Sequence, residues 1–250
     1  MAYYSRSSHV GSCLSIVDIL YVLYFKVMRI DPNEPDMYDR DKLILSKGHA
    51  SAALYAVLAE RGFFPEEYLS KYYINNGLLP GHLDKEKVPG IETSAGSLGH
   101  GLGIGIGMAA ANLRSGNKGR IYVIVGDGEC NEGSIWEGIM LAAHLKLSNL
   151  TLIIDYNKLQ GFGETGKIIK MNNISEMLTA FGWKAVDIDG HDLTSIEKGL
   201  RMVNELPVAV IAHTVKGKGV SFMENKLDWH YKSPNEKEFD QALQELGENL

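Results

Sequence analysis

At 250 residues, 45% hydrophobic and 22% charged, the chain can bury one sizeable core, and a single α/β domain is the ordinary outcome at this length. A net charge of −6 removes any electrostatic reason to expect nucleic acid or an anionic membrane as a partner. The apolar residues after Cys13 are interrupted by Asp18, Lys26 and Arg29 and cannot span a bilayer. Residues 1–9 lack the basic-then-apolar order of a signal peptide, and Cys13 and Cys130 have no metal or redox spacing, so a reduced cytoplasmic setting is expected.

In chain order, residues 12–27 are predicted to be helical and apolar on most faces, and 31–41 form a Pro- and Asp-rich loop. Residues 42–46 form a short strand, 50–60 a helix, and Pro65 opens a further short helix. A long glycine-rich loop over 75–99 follows, then a small-residue helix over 101–113. From there the alternation is cleaner: strand 121–125, helix 134–147, strand 150–155, and a Gly-rich loop to Lys167. Helix 174–181, strand 184–188, helix 193–203, strand 207–213, a loop over 216–234 and a closing helix over 236–246 complete the chain. Strands alternating with helices predict an α/β fold, a doubly wound and mostly parallel sheet with helices on both faces. Right-handed crossovers place every strand's C-terminal end on one rim, where ligands bind.

Two residues fall directly on that rim. Asp127 ends one β-branched strand between Gly126 and Gly128, and Asn157 ends the next. Adjacent strand ends are roughly 5 Å apart. A carboxylate, an amide oxygen and a nearby main-chain carbonyl make a hard oxygen site suited to Mg²⁺ or Ca²⁺. The flanking glycines leave the main chain open to a diphosphate, and Glu132 begins a helix whose N-terminal amides favour an anion. A solvated βα loop is the plainer reading of Gly-Asp-Gly alone.

Gly126-Asp127-Gly128 with Asp155-Tyr156-Asn157 about thirty residues later resembles the diphosphate-binding signature of the thiamine-diphosphate fold. Ser8-His9-Val10-Gly11, Ser46-Lys47-Gly48-His49, Leu79-Pro80-Gly81-His82 and Asp228-Trp229-His230 are each similar to transketolase segments. The resemblance runs from about Ser8 to the end of the chain. It is greatest to the N-terminal, diphosphate-binding half, particularly the separate small subunit of split transketolases.

That resemblance implies thiamine diphosphate as cofactor. It implies Mg²⁺ on Asp127, Asn157 and the Leu159 carbonyl, with Ca²⁺ or Mn²⁺ as substitutes. Cofactor contacts are implied for His49, Gly96, Ser97, Leu98, Gly126, Asp127, Gly128, Glu132, Asn157 and His230. His9, His49, His82 and His230 are implied as catalytic, with at least three of them in one cavity. His9 and His230 would act on substrate oxygens, and His49 and His82 on developing charge. Glu132 resembles a residue that links neighbouring active sites, although a helix N-terminal charge reads nearly as well. The reaction implied is transfer of a two-carbon ketol unit from a ketose phosphate to an aldose phosphate; the alternatives are another thiamine-diphosphate reaction, a decarboxylase or synthase on a specialised sugar or 2-keto acid, and a non-catalytic module that retains the fold. The family also uses a pyrimidine-binding domain, about 150 residues by ordinary domain size. The expectation is that residues 1–250 are one diphosphate-binding domain, that this second domain is absent, and that a separate C-terminal subunit supplies it in a heterotetramer or larger assembly.

The chain departs from the family at Ser8 and Tyr231, where Gly is usual, at His100 in place of Gln, and in the eight residues before His9. Tyr231 is placed to narrow the channel. His144, His191 and His213 read as surface or structural histidines. The glycines of 99–111 do not spell a dinucleotide loop, since Ile106 and Met108 stand where glycine is needed, and close helix packing is expected instead. Residues 161–168 fail as a phosphate loop because Ile168 follows Lys167 and no helix is expected there.

Overall fold

The computed structural model describes residues 1–171 and 173–247. Its elements, in chain order, are α1 (Ala2–Ser5), α2 (Val10–Leu14), α3 (Val17–Val22) running into a π-helical turn at Leu23–Val27, β1 (Lys42–Leu45) and α4 (Ser51–Glu60). After the long loop come α5 (His100–Ser115), β2 (Ile121–Gly126), α6 (Gly133–His144) and β3 (Leu150–Tyr156). A small ribbon of β4 (Leu159–Gln160) and β5 (Gly163–Glu164) leads to α7 (Thr165–Ile168). The chain continues through α8 (Ile174–Ala180), β6 (Lys184–Asp189), α9 (Leu193–Leu200), β7 (Val208–His213) and α10 (Glu236–Glu245).

The main sheet has the order β1-β2-β3-β7-β6, and all four pairings are parallel. Strand side chains alternate between two apolar layers. Tyr122, Ile124, Ile153, Val208 and Val210 pack with residues of α3, α4 and α9. Val123, Val125, Leu152, Ile154, Ala209 and Ile211 pack with residues of α5, α6 and α8. Burial on both faces explains why the central strands read as continuous apolar runs. A third, smaller cluster of Val220, Met223, Trp229 and Ala242 seats the segment after β7 against α10, with Val10 and Leu14 beside it.

The expected α/β architecture is therefore present, with three local differences. The helix predicted over 12–27 is broken at Ser15 and Ile16, where Ile16 leaves helical geometry. The Ser15 hydroxyl there serves the buried carboxylate of Asp155 instead of solvent. The loop before Lys167 contains the β4–β5 ribbon, and a one-turn helix spans Lys167. Lys167 nonetheless points outward, paired with Glu164 at 2.8 Å. Of the α5 glycines, Gly101 and Gly105 do serve close packing: an added Cβ would fall 2.4 Å from Ser46 and 2.5 Å from Val123. Gly103 and Gly107 face open space. Among the described residues, no helix is long and apolar enough to cross a membrane.

Candidate active site

The parallel β2–β3 pairing sets Gly126 beside Asp155, so Asp127 and Asn157 leave adjacent strand ends on one rim. They border a cavity of about 380 Å³, whose lining includes Lys47, Asp127, Asn157, Leu159, Lys216 and His230. Asp127 is 2% exposed. Its carboxylate accepts from Thr165 Oγ1 at 3.0 Å and from the Gly128 amide at 2.8 Å. Burial, with the Asp155 charge adding to it, pushes the Asp127 carboxyl up to about 6. Asn157 Oδ1 accepts from the Leu159 amide at 3.0 Å, while its Nδ2 donates to Asp155 at 2.9 Å. The amide orientation is thus set by its neighbours, and the oxygen lies on the Leu159 side.

Asp155 anchors the floor. It is fully buried and accepts from Lys47 Nζ, Ser15 Oγ and Thr214 Oγ1. Burial opposes its charge, but the Lys47 ammonium and the hydroxyls overcome that and hold the carboxyl below its usual range. Lys216, only 1% exposed, donates to the Leu159 carbonyl at 3.2 Å and lies 2.8 Å from His230 Nδ1. Burial and the nearby Lys47 lower Lys216 to about 8. Two buried ammonium groups therefore overlook the Asp127–Asn157 rim.

A third buried carboxylate closes the other side. Glu129 Oε1 accepts from the Gly99 amide at 2.8 Å and from Ser46 Oγ, and Oε2 accepts from the Gly126 amide at 3.1 Å. It ties the loop of Gly96, Ser97 and Leu98 to the end of β2. Leu98 reaches the cavity, whereas Gly96 and Ser97 line a separate shallow pocket near His100. Gly126 stays open, since an added Cβ would meet nothing closer than 3.8 Å; Gly128 instead yields its space to Gln160. Glu132 occupies the N-cap position of α6 without a side-chain capping hydrogen bond, exposed at the cavity edge.

Of the four candidate histidines, His49 and His230 line the cavity. His9 packs on both, with ring centroids 5.0 Å from each. His9 itself adopts a left-handed backbone (φ 68°), pinned by its amide donating to the His230 carbonyl at 3.1 Å. His82 is not among the cavity-lining residues; its ring lies against Gly96. Burial lowers His9 to about 4 and His230 to about 3, with like charges on neighbouring residues adding to both shifts, and it holds His49 well below the usual range. All three are neutral near pH 7. His191 instead accepts the Val215 amide at Nε2 and bonds Asp18 through Nδ1, and His213 pairs with Asp187, so both have structural roles.

Lys47, Lys216 and Glu129 are absent from the sequence-derived set. Lys47 and Lys216 each closely follow a strand end and adjoin a glycine, the same signal that singles out Asp127.

Acid and amide oxygens with two buried lysines, at the C-terminal rim of a parallel sheet, define a class: an α/β protein with a charged cavity at the sheet rim. The chain belongs to the family described as transketolase, thiamine diphosphate binding domain, whose model matches residues 3–250. It is 44% identical over 240 residues to one of the apulose-4-phosphate transketolase subunits of Actinobacillus succinogenes, covering 95% of this chain and 87% of that protein. It is 41% identical over 242 residues to the 6-deoxy-6-sulfo-D-fructose transketolase subunit SqwG of Clostridium sp., covering 95% and 88%. Among solved structures, the transketolase of Campylobacter jejuni superposes with a TM-score of 0.90 at 29% identity, over 99% of this chain and 40% of that one. The chain thus spans about two fifths of that transketolase.

Proposed function

We propose that the chain is the cofactor- and Mg²⁺-binding component of a transketolase that moves a two-carbon ketol unit from a ketose phosphate to an aldose phosphate. The carrying observation is the juxtaposition of Asp127, Asn157 and the Leu159 carbonyl with the buried ammonium groups of Lys47 and Lys216. The donor set fits the group. Three oxygens of hard character suit Mg²⁺, which takes its remaining ligands from phosphate and water. Lys216 can turn its ammonium from the Leu159 carbonyl to an arriving diphosphate, freeing that carbonyl for the metal. Buried His9 Nδ1 has no hydrogen-bond partner among the described residues, a polar atom left for a ligand or water.

When bound, thiamine diphosphate supplies the electron sink that lets a carbon–carbon bond beside a carbonyl break. The chain's own groups orient the substrate and handle protons. With Lys216 donating to His230 Nδ1, the neutral His230 ring carries its proton on Nε2, beside the cavity. That Nε2–H is placed to donate to a substrate oxygen. Neutral His9 and His49 can each donate or accept. His82, by Gly96, stands farther out and meets charge developing at the mouth of the site. Leu98, held through Glu129, gives the cofactor an apolar contact.

Two similar proteins that the chain covers almost completely are named as transketolase subunits. Those names support action with a separate subunit; we propose that it carries the pyrimidine-binding domain and that the two form a heterotetramer or larger assembly. Those names also point to sugars bearing an anionic substituent. Two free thiols, at Cys13 and Cys130, suit a reducing cytoplasm.

The test is ketol transfer by the chain with and without its co-expressed partner, in Mg²⁺ and thiamine diphosphate. Activity in the mixture only is expected. Asp127→Ala should abolish Mg²⁺-dependent cofactor binding while the fold persists. Unchanged affinity in a calorimetric titration would remove Asp127 from the metal site.

A further inference from the structure

Tyr231 borders the cavity yet is 62% exposed, so its ring forms part of the wall between cavity and solvent. Its ring centroid lies 4.5 Å from that of His230 and 5.8 Å from that of His9. Its hydroxyl rests on Gly161: a Cβ at that position would come 2.6 Å from Tyr231 Oη and 3.4 Å from His230 Nε2. Gly161 therefore makes room for the phenol at the point where the His230 ring ends. Phe162, 86% exposed, follows on the same ribbon and also borders the cavity.

The phenol is held from behind. Trp229 is buried in the satellite core, the Tyr231 amide donates to the Asp228 carbonyl at 3.2 Å, and His9 grips the His230 carbonyl. An exposed aromatic ring on a hydrogen-bonded backbone, with a glycine cleared beneath it, forms part of the cavity wall. The space it fills adjoins the two histidines that face substrate oxygens.

We propose that Tyr231, seated on Gly161, is a specificity-determining residue that narrows the substrate passage and selects short-chain sugar phosphates over longer ones. The proposal rests on the ketol-transfer reading above. Selection comes from the bulk of the ring: a longer acceptor must pass where the phenol stands. The hydroxyl is not required for exclusion.

The test compares triose phosphate with pentose phosphate as acceptor, using the cofactor-loaded chain assembled with its partner subunit. Tyr231→Gly should raise kcat/KM for the pentose relative to the triose by at least about tenfold, the scale of steric discrimination in a pocket. Tyr231→Phe should leave the ratio unchanged. Gly161→Ala, which displaces the phenol, should shift the ratio, and Gly161→Ala combined with Tyr231→Gly should match Tyr231→Gly alone. An unchanged ratio in Tyr231→Gly would overturn the proposal. Calorimetric affinities for the two aldose phosphates keep the question separate from the reaction. A shifted affinity ratio in an assembly without turnover would refute ketol transfer and support Tyr231, whereas equal affinity ratios would refute Tyr231.

Discussion

The ammonium of Lys216 donates to the Leu159 carbonyl 3.2 Å away, so a buried cation occupies the oxygen expected to ligate a metal. The arrangement makes Lys216 responsive to an arriving anion. It sits near 8 because burial and Lys47 oppose its charge. A diphosphate favours the charged form and raises that value. At pH 8, binding of inorganic pyrophosphate with Mg²⁺ should take up as much as about half a proton per site through this group. Calorimetry in two buffers of different ionisation enthalpy measures the uptake. Lys216→Met should abolish it, and equal uptake in that variant would assign the proton elsewhere.

Asp127 bears a charge that the fold does not favour. Its carboxyl titrates near 6 when folded and 3.8 in the reference state, so the folded protein binds more protons between those values. The group's contribution to stability therefore improves as pH falls from about 6 towards 3.8. At neutral pH the buried charge costs about 3 kcal/mol. Asp127→Asn should raise the urea midpoint at pH 7 while eliminating stabilisation by Mg²⁺ and cofactor, a trade of stability for function. A lower midpoint would show that the carboxylate is locally favourable.

The histidine cluster has the opposite sign. His9 and His230 titrate near 4 and 3 when folded and near 6.5 when unfolded. The unfolded chain binds more protons in that window, so stability is lost as pH falls below about 6.5 towards 4. Paired His9→Asn and His230→Asn substitutions should flatten that decline. Urea unfolding at pH 7.5 and at pH 5 provides the comparison, and an equally steep decline would exclude the cluster as its origin.

The Lys47–Asp155 pair is closed on both sides, with side chains 2% and 0% exposed. Removing one partner leaves an uncompensated charge in the core. Lys47→Met should cost about 3–5 kcal/mol, more than an exposed pair such as Lys167–Glu164 can supply. The double substitution Lys47→Met with Asp155→Leu should recover much of that loss. Equal losses in the single and double variants would contradict the account.

The sheet was legible because its strands are β-branched runs bounded by glycine and polar residues, and the same punctuation placed Asp127 and Asn157 at strand ends. The histidines could be drawn together only through family likeness, since spacing along the chain says nothing of the 5.0 Å between His9 and His230 rings. Lys47, Lys216 and Glu129 escaped notice for a related reason. Lysine and glutamate read as surface residues unless their partners are known. Asp155, the partner of Lys47, lies 108 residues away. The break at Ser15 was equally hidden, because a single serine in an apolar run gives no sign that a buried carboxylate will claim its hydroxyl.

Two bonds join the N-terminal segment to the segment after β7 beside the cavity: the Gly217 amide to the Gly11 carbonyl, and the His9 amide to the His230 carbonyl. Each spans more than half of the sequence, so each closes late and at an entropic cost that grows with the loop it shuts. A nascent chain that has reached α9 already holds His9, His49, Asp127 and Asn157, yet lacks Thr214, Lys216 and His230 to fix them. During synthesis residues 9–12 must wait for residues 214–230 before either becomes part of a pocket. Competence to bind a cofactor should consequently appear in one step, once residues 214–230 are in place, and not grow in proportion to the length made.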